Sequence, residues 1–331
     1  MVNVMFEERY KVKVSVLGCG RWGPFIAWYL NKIDHNVMLW GRESSANMIN
    51  LKKFRKNNFL SLDPKILLSS NLEEALSFSE VVVISISAQS LRSFLNDIKL
   101  KIPDLKNKIF ILCMKGIEKG TGKRLTEVLE ECLGKVRAAV WVGPGHVQDF
   151  INGIPNCMVI DSTDSNLKHF IIENFSSSLI RFYYGTDLIG SEIGAASKNV
   201  MGIAAGILDG LEYTSLKGAL MSRGTREIAR LIKALGGNEF SAYGLAHLGD
   251  YQATLFSQHS NNRKFGESLI TGEKYEKLAE GVPTTEALLE LGLKLGVELP
   301  ICQAVHDVVS GNMDAKERIT RLFLRSLKAE F

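Results

Sequence analysis

The chain has 331 residues, of which 46% are hydrophobic and 23% charged, and its formal net charge is +4. This length allows two domains with a large core, and the composition is that of an ordinary globular protein. The mild positive charge suits small anionic ligands, but it is too weak and too dispersed to predict a nucleic-acid partner.

Cysteine and histidine usage predicts neither disulfides nor a metal. The 5 cysteines are far apart and the 6 histidines are scattered, so no pair has metal-ligand spacing and a reducing cytoplasm is the simple interpretation. Residues 1–13 carry acids and lack a long apolar stretch, so we expect no secretory signal there. No segment approaches the roughly 20 apolar residues of a membrane span.

A glycine turn follows the first predicted strand. Residues 11–17 form a short apolar strand, GCGRWG occupies 18–23, a helical pattern follows, and residues 37–40 form the next strand. This is the context that the dinucleotide-binding fingerprint requires. Gly18 would permit the turn, Gly20 the approach of a pyrophosphate and Gly23 close packing of helix on strand, with the helix N-terminus facing the phosphates. The alternative is a glycine turn that serves packing only.

The end of the second strand bears on the nucleotide. Arg42 stands near the position where an NAD site usually has an acid. An arginine there can accommodate a 2′-phosphate, so NADP(H) is favoured, while Glu43 keeps NAD(H) open. Arg42 could also be a solvated arginine that starts the next helix.

Further strands predict a doubly wound α/β sheet. Strand patterns occupy 65–68, 81–86, 109–114, 138–142, 159–160 and 180–184, and the continuous apolar run at 81–86 is typical of a buried parallel strand. Asn71 is predicted to open a helix after the edge strand. Ligands bind beyond the carboxyl ends of such strands, which places Gln89, Lys115 and 143–145 on the cofactor side.

Strand patterns stop near residue 190. Helices are predicted at 190–208 and 216–235, near Thr284 and near Ile301. The fold class is therefore an N-terminal Rossmann-type domain over 1–189 and an all-α C-terminal domain over 190–331. We expect the second to pack against the first, with the site in the cleft between them.

Lys198 is the only charged residue between Glu192 and Asp209, in a segment rich in glycine, alanine and serine. Burial disfavours the ammonium and lowers its pKa, and a lysine with a lowered pKa can exchange protons near neutral pH. The alternative is that Lys198 lies near a helix end and extends to water. Asn199 beside it could hold a substrate oxygen.

A second group of polar residues lies at 244–250 (GLAHLGD), Thr254 and 260–266 (SNNRKFG). Glycine-rich turns with one acid, followed by a polar and basic loop, could serve an anion site. As isolated features, these segments are typical of solvated loops.

Together these motifs resemble the NAD(P)-dependent sn-glycerol-3-phosphate dehydrogenase family over essentially the whole chain. The matching segments are GCGRWG (18–23), LWGR (39–42), MKGIEKGTG (114–122), VGPGHVQDFINGIPN (142–156), SKNVMGIAAGILDG (197–210), GLAHLGD (244–250), NRKFG (262–266) and AEGVPTTEAL (279–288).

The resemblance implies interconversion of dihydroxyacetone phosphate and glycerol 3-phosphate for phospholipid synthesis, by a homodimer that uses NADP(H) or NAD(H). Lys198 would carry the proton, with Lys115 polarising the carbonyl and Asp250 orienting the lysine. The implied substrate residues are Lys115, Asn199, Gly143, Gly145, Thr254, Ser260, Asn261 and Asn262. The implied cofactor residues are Gly18, Gly20, Arg21, Trp22, Gly23, Arg42, Gln89, Lys115, Val147, Asn261, Leu278 and Glu280.

Three positions depart from the family pattern. Asn261 replaces an arginine of the usual SRNR loop, which should weaken phosphate binding unless Arg263 or Lys264 substitutes. Gly145 stands where the family has a hydroxyl, and Ala88 where a proline is usual. Two alternatives follow: a related two-domain reductase of another keto acid, which Asn261 favours, and an NADP(H)-binding protein without turnover.

Overall fold

The computed structural model describes residues 10–102, 104–327 and 329–330. Residues 1–9, on which most of the secretory-signal expectation rests, lie outside them. The chain divides into two compact units. Unit one comprises the described residues of 1–114 and 125–188, and unit two comprises those of 115–124 and 189–331. The predicted functional division at residue 190 stays a prediction.

Unit one is a sheet with helices. Its strands and helices are β1 (Lys13–Leu17), α1 (Trp22–Lys32), β2 (Asn36–Trp40), α2 (Ala46–Phe54), β3 (Leu67–Ser69), α3 (Leu72–Phe78), β4 (Val81–Ile84), α4 (Leu91–Lys101), β5 (Ile109–Leu112), α5 (Leu125–Leu133), β6 (Arg137–Val142), α6 (Val147–Ile151), β7 (Asn156–Asp161), α7 (Ser165–Phe175) and β8 (Ile180–Tyr184).

The sheet has 8 strands in the order β3-β2-β1-β4-β5-β6-β7-β8. Neighbouring strands are parallel except β6 and β7, which are antiparallel. The Rossmann-type prediction is confirmed, and β3 is an edge strand as expected. The reversal at β7 is a feature that the apolar pattern does not reveal, because a buried strand has the same composition in either direction.

Local sequence explains several of these elements. The four residues of β4 and of β5 are all buried, as the continuous apolar runs predict for central strands. Asn71 caps α3, since its side chain accepts hydrogen bonds from the amides of Glu73 and Glu74. Both predictions are confirmed.

Unit two is helical. Its helices are α8 (Leu188–Gly210, of which Leu188 belongs to unit one), α9 (Lys217–Ala234), α10 (Asn261–Thr271), α11 (Gly281–Leu295), α12 (Pro300–Val309) and α13 (Ala315–Phe323). A 3₁₀ turn (Leu248–Asp250) and a π-helical turn (Gln252–Phe256) precede α10. Its core gathers the apolar face of α9 and most of α8, with Ile203 and Ile228 fully buried.

Among the boundaries that differ from the sequence prediction, two bear on the site. The segment expected as a polar loop at 260–266 is the first part of α10, and the helix expected near Thr284 begins at Gly281. The polar residues at 260–262 lie in the N-cap and first turn, where short polar side chains are favoured, so they indicate a helix start as well as a loop. In the part of the chain that the structure describes, no helix has the length and apolarity to cross a membrane, and no group of side chains could hold a metal ion.

The glycine turn between β1 and α1 has two contrasting positions. A Cβ added at Gly23 would lie 1.7 Å from the carbonyl oxygen of Gly18, whereas one added at Gly20 would meet nothing within 4 Å. We therefore expect Gly23→Ala to lower the stability of unit one by about 3 kcal/mol through overpacking, measured as a fall in Tm. Gly20→Ala is the matched control and should leave Tm nearly unchanged; equal effects of the two substitutions would contradict the packing role of Gly23.

Candidate active site

Lys198 lies in the middle of α8, so the helix-end alternative is wrong. Most of α8 is buried, and the Lys198 side chain is only 12% exposed. The small residues of α8 let neighbouring segments approach its backbone: a Cβ at Gly202 would lie 2.9 Å from Thr254 Cγ2 and 3.2 Å from Asn262 Cβ. Lys198 therefore lies in a crowded interior instead of in water.

Asp250 holds two lysines. Its Oδ2 lies 2.8 Å from Lys198 Nζ and 2.6 Å from Lys115 Nζ, and the Asp250 side chain is 1% exposed. Its Oδ1 is buried and has no hydrogen-bond partner among the described residues. We call Lys115, Lys198 and Asp250 the lysine cluster. Two ammonium groups and one carboxylate leave one net positive charge, which favours an anionic ligand.

Thr254 and Asn199 complete the cluster from either side. The Thr254 hydroxyl donates to the Asp250 carbonyl (2.7 Å), so its lone pair accepts from Lys198 Nζ (3.0 Å). The Asn199 amide donates to the backbone carbonyl of Lys115 (3.4 Å). Asn199 therefore helps to position Lys115, a role that its sequence context does not reveal.

The cluster sets the protonation of Lys198. Burial lowers the pKa of Lys198 to about 8; the negative charge of Asp250 raises the pKa in opposition, and the positive charge of Lys115 lowers it further. The lowering of the pKa of Lys198 by burial is the effect expected from the sequence. A lysine with a pKa near 8 can both donate and accept a proton at physiological pH.

Lys115 reaches the cluster because residues 115–124 form a small loop of unit two. The loop closes through an antiparallel bridge between Ile117 and Arg124, and Ile117 is fully buried in the helical core. Arg124 also forms a buried ion pair with Glu192 of α8 (2.7 Å). The strand predicted to run to Met114 ends at Leu112, so Lys115 follows β5 after two further residues, and its membership of the helical unit was not predicted.

The start of α10 lies against α8 and α11. Ser260 is the N-cap, with its hydroxyl accepting from the Arg263 amide (3.3 Å), and Asn262 Oδ1 accepts from the Gly281 amide (2.9 Å). A Cβ at Gly281 would lie 2.7 Å from the Asn199 carbonyl oxygen. Asn262 therefore lies close to Gly202 of α8, one turn after Lys198, and Ser260 and Asn261 precede it at the start of α10. Ser260 and Asn262 are buried, so the expectation of a solvated loop is wrong.

Arg263 does not replace the arginine that is missing at position 261. Its guanidinium contacts Asp209 (3.0 Å) and Glu267 (2.7 Å), and Lys217 binds the same Asp209 at 2.7 Å. This network fixes α10 against the end of α8. Lys264 is exposed.

In unit one, the glycine turn fits a nucleotide. Gly18 has φ +127°, and a Cβ there would lie 2.1 Å from the Ser85 carbonyl oxygen. The open space at Gly20 and the N-terminus of α1 leave room for phosphates beside the backbone. Trp22 is the first residue of α1, and Arg21 donates to Gln148 Oε1 (2.7 Å), which ties the turn to α6.

The other predicted cofactor residues of unit one differ in exposure. Arg42 and Gln89 are exposed, at the carboxyl ends of β2 and β4 respectively. Val147 is a core side chain with 1% exposure, so only its backbone is available to a ligand. In unit two, Leu278 is 59% exposed and Glu280 is the N-cap of α11.

The glycines after β6 have backbones that other residues rarely adopt. Gly143 has φ +129° and Gly145 has φ +149°. A Cβ at Gly145 would lie 2.3 Å from the Phe150 ring. The Phe150 ring therefore occupies the space that the hydroxyl expected at this position would need. Ala88, in place of the usual proline, begins a 3₁₀ turn, Ala88–Ser90.

Two residues beside the lysine cluster have no role predicted from the sequence. His247 and Tyr251 are fully buried and contact one another, and His247 also contacts Gly194 of α8. Their signal in the sequence is the four-residue spacing of two aromatic side chains around Asp250, which places both on one side of a helical turn.

Comparisons with known proteins match both units to the same family. The profile of the NAD-dependent glycerol-3-phosphate dehydrogenase N-terminus matches residues 13–168, and that of the C-terminus of the same family matches residues 187–320. A glycerol-3-phosphate dehydrogenase [NAD(P)+] of Clostridium botulinum is 37% identical over 96% of this chain and 99% of its own. One of Fusobacterium nucleatum is 35% identical over 96% of this chain and 98% of its own.

Solved structures show the same architecture. A glycerol-3-phosphate dehydrogenase of Coxiella burnetii, 27% identical, superposes with a TM-score of 0.88 over 95% of this chain and 99% of its own. A D-mandelate dehydrogenase, 14% identical with a TM-score of 0.64 over 93% of this chain and 99% of its own, shares the fold. The two profiles and the near full-length relatives show that this chain belongs to the NAD-dependent glycerol-3-phosphate dehydrogenase family.

Proposed function

We propose that the protein interconverts dihydroxyacetone phosphate and sn-glycerol 3-phosphate with NADP(H) or NAD(H), and that Lys198 carries the proton. The observation that carries this proposal is the buried lysine cluster, in which one carboxylate holds two ammonium groups. The relatives named glycerol-3-phosphate dehydrogenase [NAD(P)+] support the reaction.

The nucleotide would be held by the glycine turn of unit one, with Arg42 available to a 2′-phosphate. When bound, its nicotinamide would supply or accept the hydride. Arg21 and Gln148 would keep the turn in shape, since their hydrogen bond joins α1 to α6. The exposed Arg42 favours NADP(H), because a guanidinium binds phosphate in a bidentate manner.

Lys198 would serve each direction in a different protonation state. In reduction, its ammonium donates a proton to the keto oxygen; in oxidation, its amine accepts the proton of the hydroxyl. Lys115 would stabilise the negative charge that develops on the same oxygen. Asp250 would keep both nitrogens in place, and its second carboxylate oxygen, which lacks a partner among the described residues, would accept from a substrate hydroxyl.

The substrate phosphate would lie at the start of α10, beside Ser260, Asn261 and Asn262. The net positive charge of the lysine cluster and the N-terminal end of an 11-residue helix both attract an anion. Asn261 supplies a neutral amide there in place of a permanent charge. The product would supply glycerophospholipid synthesis, and we infer that the enzyme works as a cytoplasmic homodimer; light scattering of the purified protein tests the dimer.

A second candidate is a reductase of a keto acid without phosphate. Asn261 favours it, together with the engagement of Arg263 by Asp209 and Glu267, since no arginine of α10 is then available to a phosphate. A panel of keto substrates with and without phosphate separates the two. Preference for dihydroxyacetone phosphate supports the first candidate, and preference for a phosphate-free keto acid supports the second.

Substitution of Lys198 tests the proton carrier. Lys198→Met should lower kcat by about 10²–10⁴-fold in both directions, because general acid–base assistance is lost. Lys294→Met, at an exposed lysine of α11, is the matched control and should leave kcat unchanged. Full activity of Lys198→Met would exclude the proposed role.

The pH dependence should differ between directions. Reduction needs the ammonium, so its kcat/KM should be constant below the pKa of about 8 of the free protein and fall as pH rises through it. Oxidation needs the amine, so its kcat/KM should fall as pH drops below the same value. Initial rates measured from pH 6 to pH 10 check this. If the rates of both directions rise with pH, or both fall, a single lysine does not act as both acid and base.

A charge restored at position 261 tests the phosphate subsite. Asn261→Arg should lower KM for dihydroxyacetone phosphate by about tenfold, because a charge-assisted hydrogen bond contributes at least roughly 1.5 kcal/mol. Asn261→Gln keeps a neutral amide and should change KM by less than about threefold. If Asn261→Arg lowers KM equally for a phosphate-free keto substrate, or does not lower KM for dihydroxyacetone phosphate, the substrate phosphate does not bind beside residue 261.

A further inference from the structure

His247 lies in the segment that carries Asp250 and is fully buried. Its Nδ1 lies 2.8 Å from the carbonyl oxygen of Gly194, and its Nε2 lies 2.7 Å from the Tyr251 hydroxyl. The two rings also touch edge to face, with centroids 4.8 Å apart. We call Gly194, His247 and Tyr251 the clasp.

The partners of His247 fix its tautomer. A carbonyl oxygen can only accept, so Nδ1 carries the hydrogen and donates to Gly194. Burial lowers the pKa of His247 to about 4, and the charge of Lys198 lowers it further, against the opposing effects of the Gly194 bond and Asp250. The ring is therefore neutral, and Nε2 accepts from the Tyr251 hydroxyl. Burial also raises the pKa of Tyr251, which keeps that hydroxyl protonated.

The clasp ties the Asp250 segment to the turn of α8 that carries Lys198. In an α-helix the carbonyl of residue 194 faces the amide of residue 198, one turn later. On the other side, the Asp250 amide donates to the His247 carbonyl (3.0 Å), and the Asp250 carboxylate holds Lys198 Nζ (2.8 Å). A closed path of contacts thus runs from Gly194 through His247 and Asp250 to Lys198 and back along the helix.

Gly194 allows this close approach. A Cβ added there would lie 3.0 Å from the Cβ of His247, which is tighter than ordinary van der Waals contact. The imidazole therefore reaches the helix backbone directly, with no side chain between them. A bond to the backbone fixes the separation of the two segments more firmly than a bond between two flexible side chains.

We propose that His247 is a positioning residue, which holds Asp250 at the distance from Lys198 that proton transfer requires, through its hydrogen bond to the Gly194 carbonyl. This inference rests on the proposed role of Lys198. His247 itself contacts neither substrate nor cofactor in this role. Its loss would let the Asp250 segment move away from α8, and a displacement of about 1 Å at a reacting group can cost about 100-fold in rate.

Two substitutions of nearly equal shape test the clasp. His247→Asn places an amide nitrogen where Nδ1 stands and keeps the donor to Gly194, whereas His247→Leu fills the same space without a donor. We expect kcat to fall by about 100-fold in His247→Leu, with KM changed by less than about threefold. In His247→Asn, kcat should stay within about tenfold of the wild-type value, since only the bond to Tyr251 is lost.

A stability control separates positioning from folding. Val305→Ala, in the core of α12, removes buried methyl groups from a side chain that belongs neither to the lysine cluster nor to the clasp. It should lower Tm with little change in kcat. If His247→Leu and Val305→Ala reduce kcat equally at matched loss of Tm, His247 has only a structural role and the proposal is wrong.

A second readout needs no turnover. The Lys198 side chain can be titrated by NMR in the free protein, where its nitrogen faces Asp250 and Thr254 from one segment and Lys115 from another. The midpoint should move down in His247→Leu, because Asp250 raises the pKa of Lys198, and stay in His247→Asn. Equal midpoints and equal kcat in the two variants would overturn the clasp. If the wild-type protein turns over no keto substrate, yet the Lys198 midpoint of His247→Leu lies below that of the wild type, the proposed function is wrong and the clasp is supported.

Discussion

The site depends on one carboxylate oxygen shared by two lysines in a place that water hardly reaches. Asp250 Oδ2 contacts both nitrogens, and Asp250 is among the most buried acids of the described chain. A buried carboxylate is costly unless it is paired, and two adjacent ammonium groups repel each other unless an anion separates them. Each member of the lysine cluster therefore makes the burial of the others tolerable. The protonation of Lys198 therefore depends on both of its charged neighbours.

Small residues of α8 make this arrangement possible. A Cβ at Gly194 would press on His247, one at Gly202 on Thr254, and one at Gly206 would lie 1.9 Å from the Arg263 carbonyl oxygen. Three separate segments thus pack directly against the backbone of α8. Close packing removes water from Lys198, and this burial lowers the pKa of Lys198. The same packing places Asp250, which raises that pKa, and Lys115, which lowers it further.

Asn261 lies on a different segment from the lysine cluster, in the first turn of α10. The lysine cluster lies on α8 and on the segments before α10, where Asp250 contacts Lys115 and Lys198, and Thr254 accepts from Lys198. The first turn of α10 is held separately, by Asn262 on Gly281 and by Arg263 on Asp209. On the proposed roles, a substitution at 261 would alter anion binding and leave the contacts of Lys198 in place, because the two groups are held by different segments.

The sequence by itself determined the glycine turn, the apolar strands, the helical second half and the solitary Lys198, because each leaves a local pattern of composition or periodicity. Motifs in a fixed order also indicated the family. Only the tertiary structure decided that one oxygen of Asp250 contacts both Lys115 and Lys198, that residues 260–262 open a helix, that β7 runs antiparallel to β6, and that His247 donates to the Gly194 carbonyl. These are pairings between residues far apart in the chain, and such pairings depend on how segments pack instead of on the composition of any one segment.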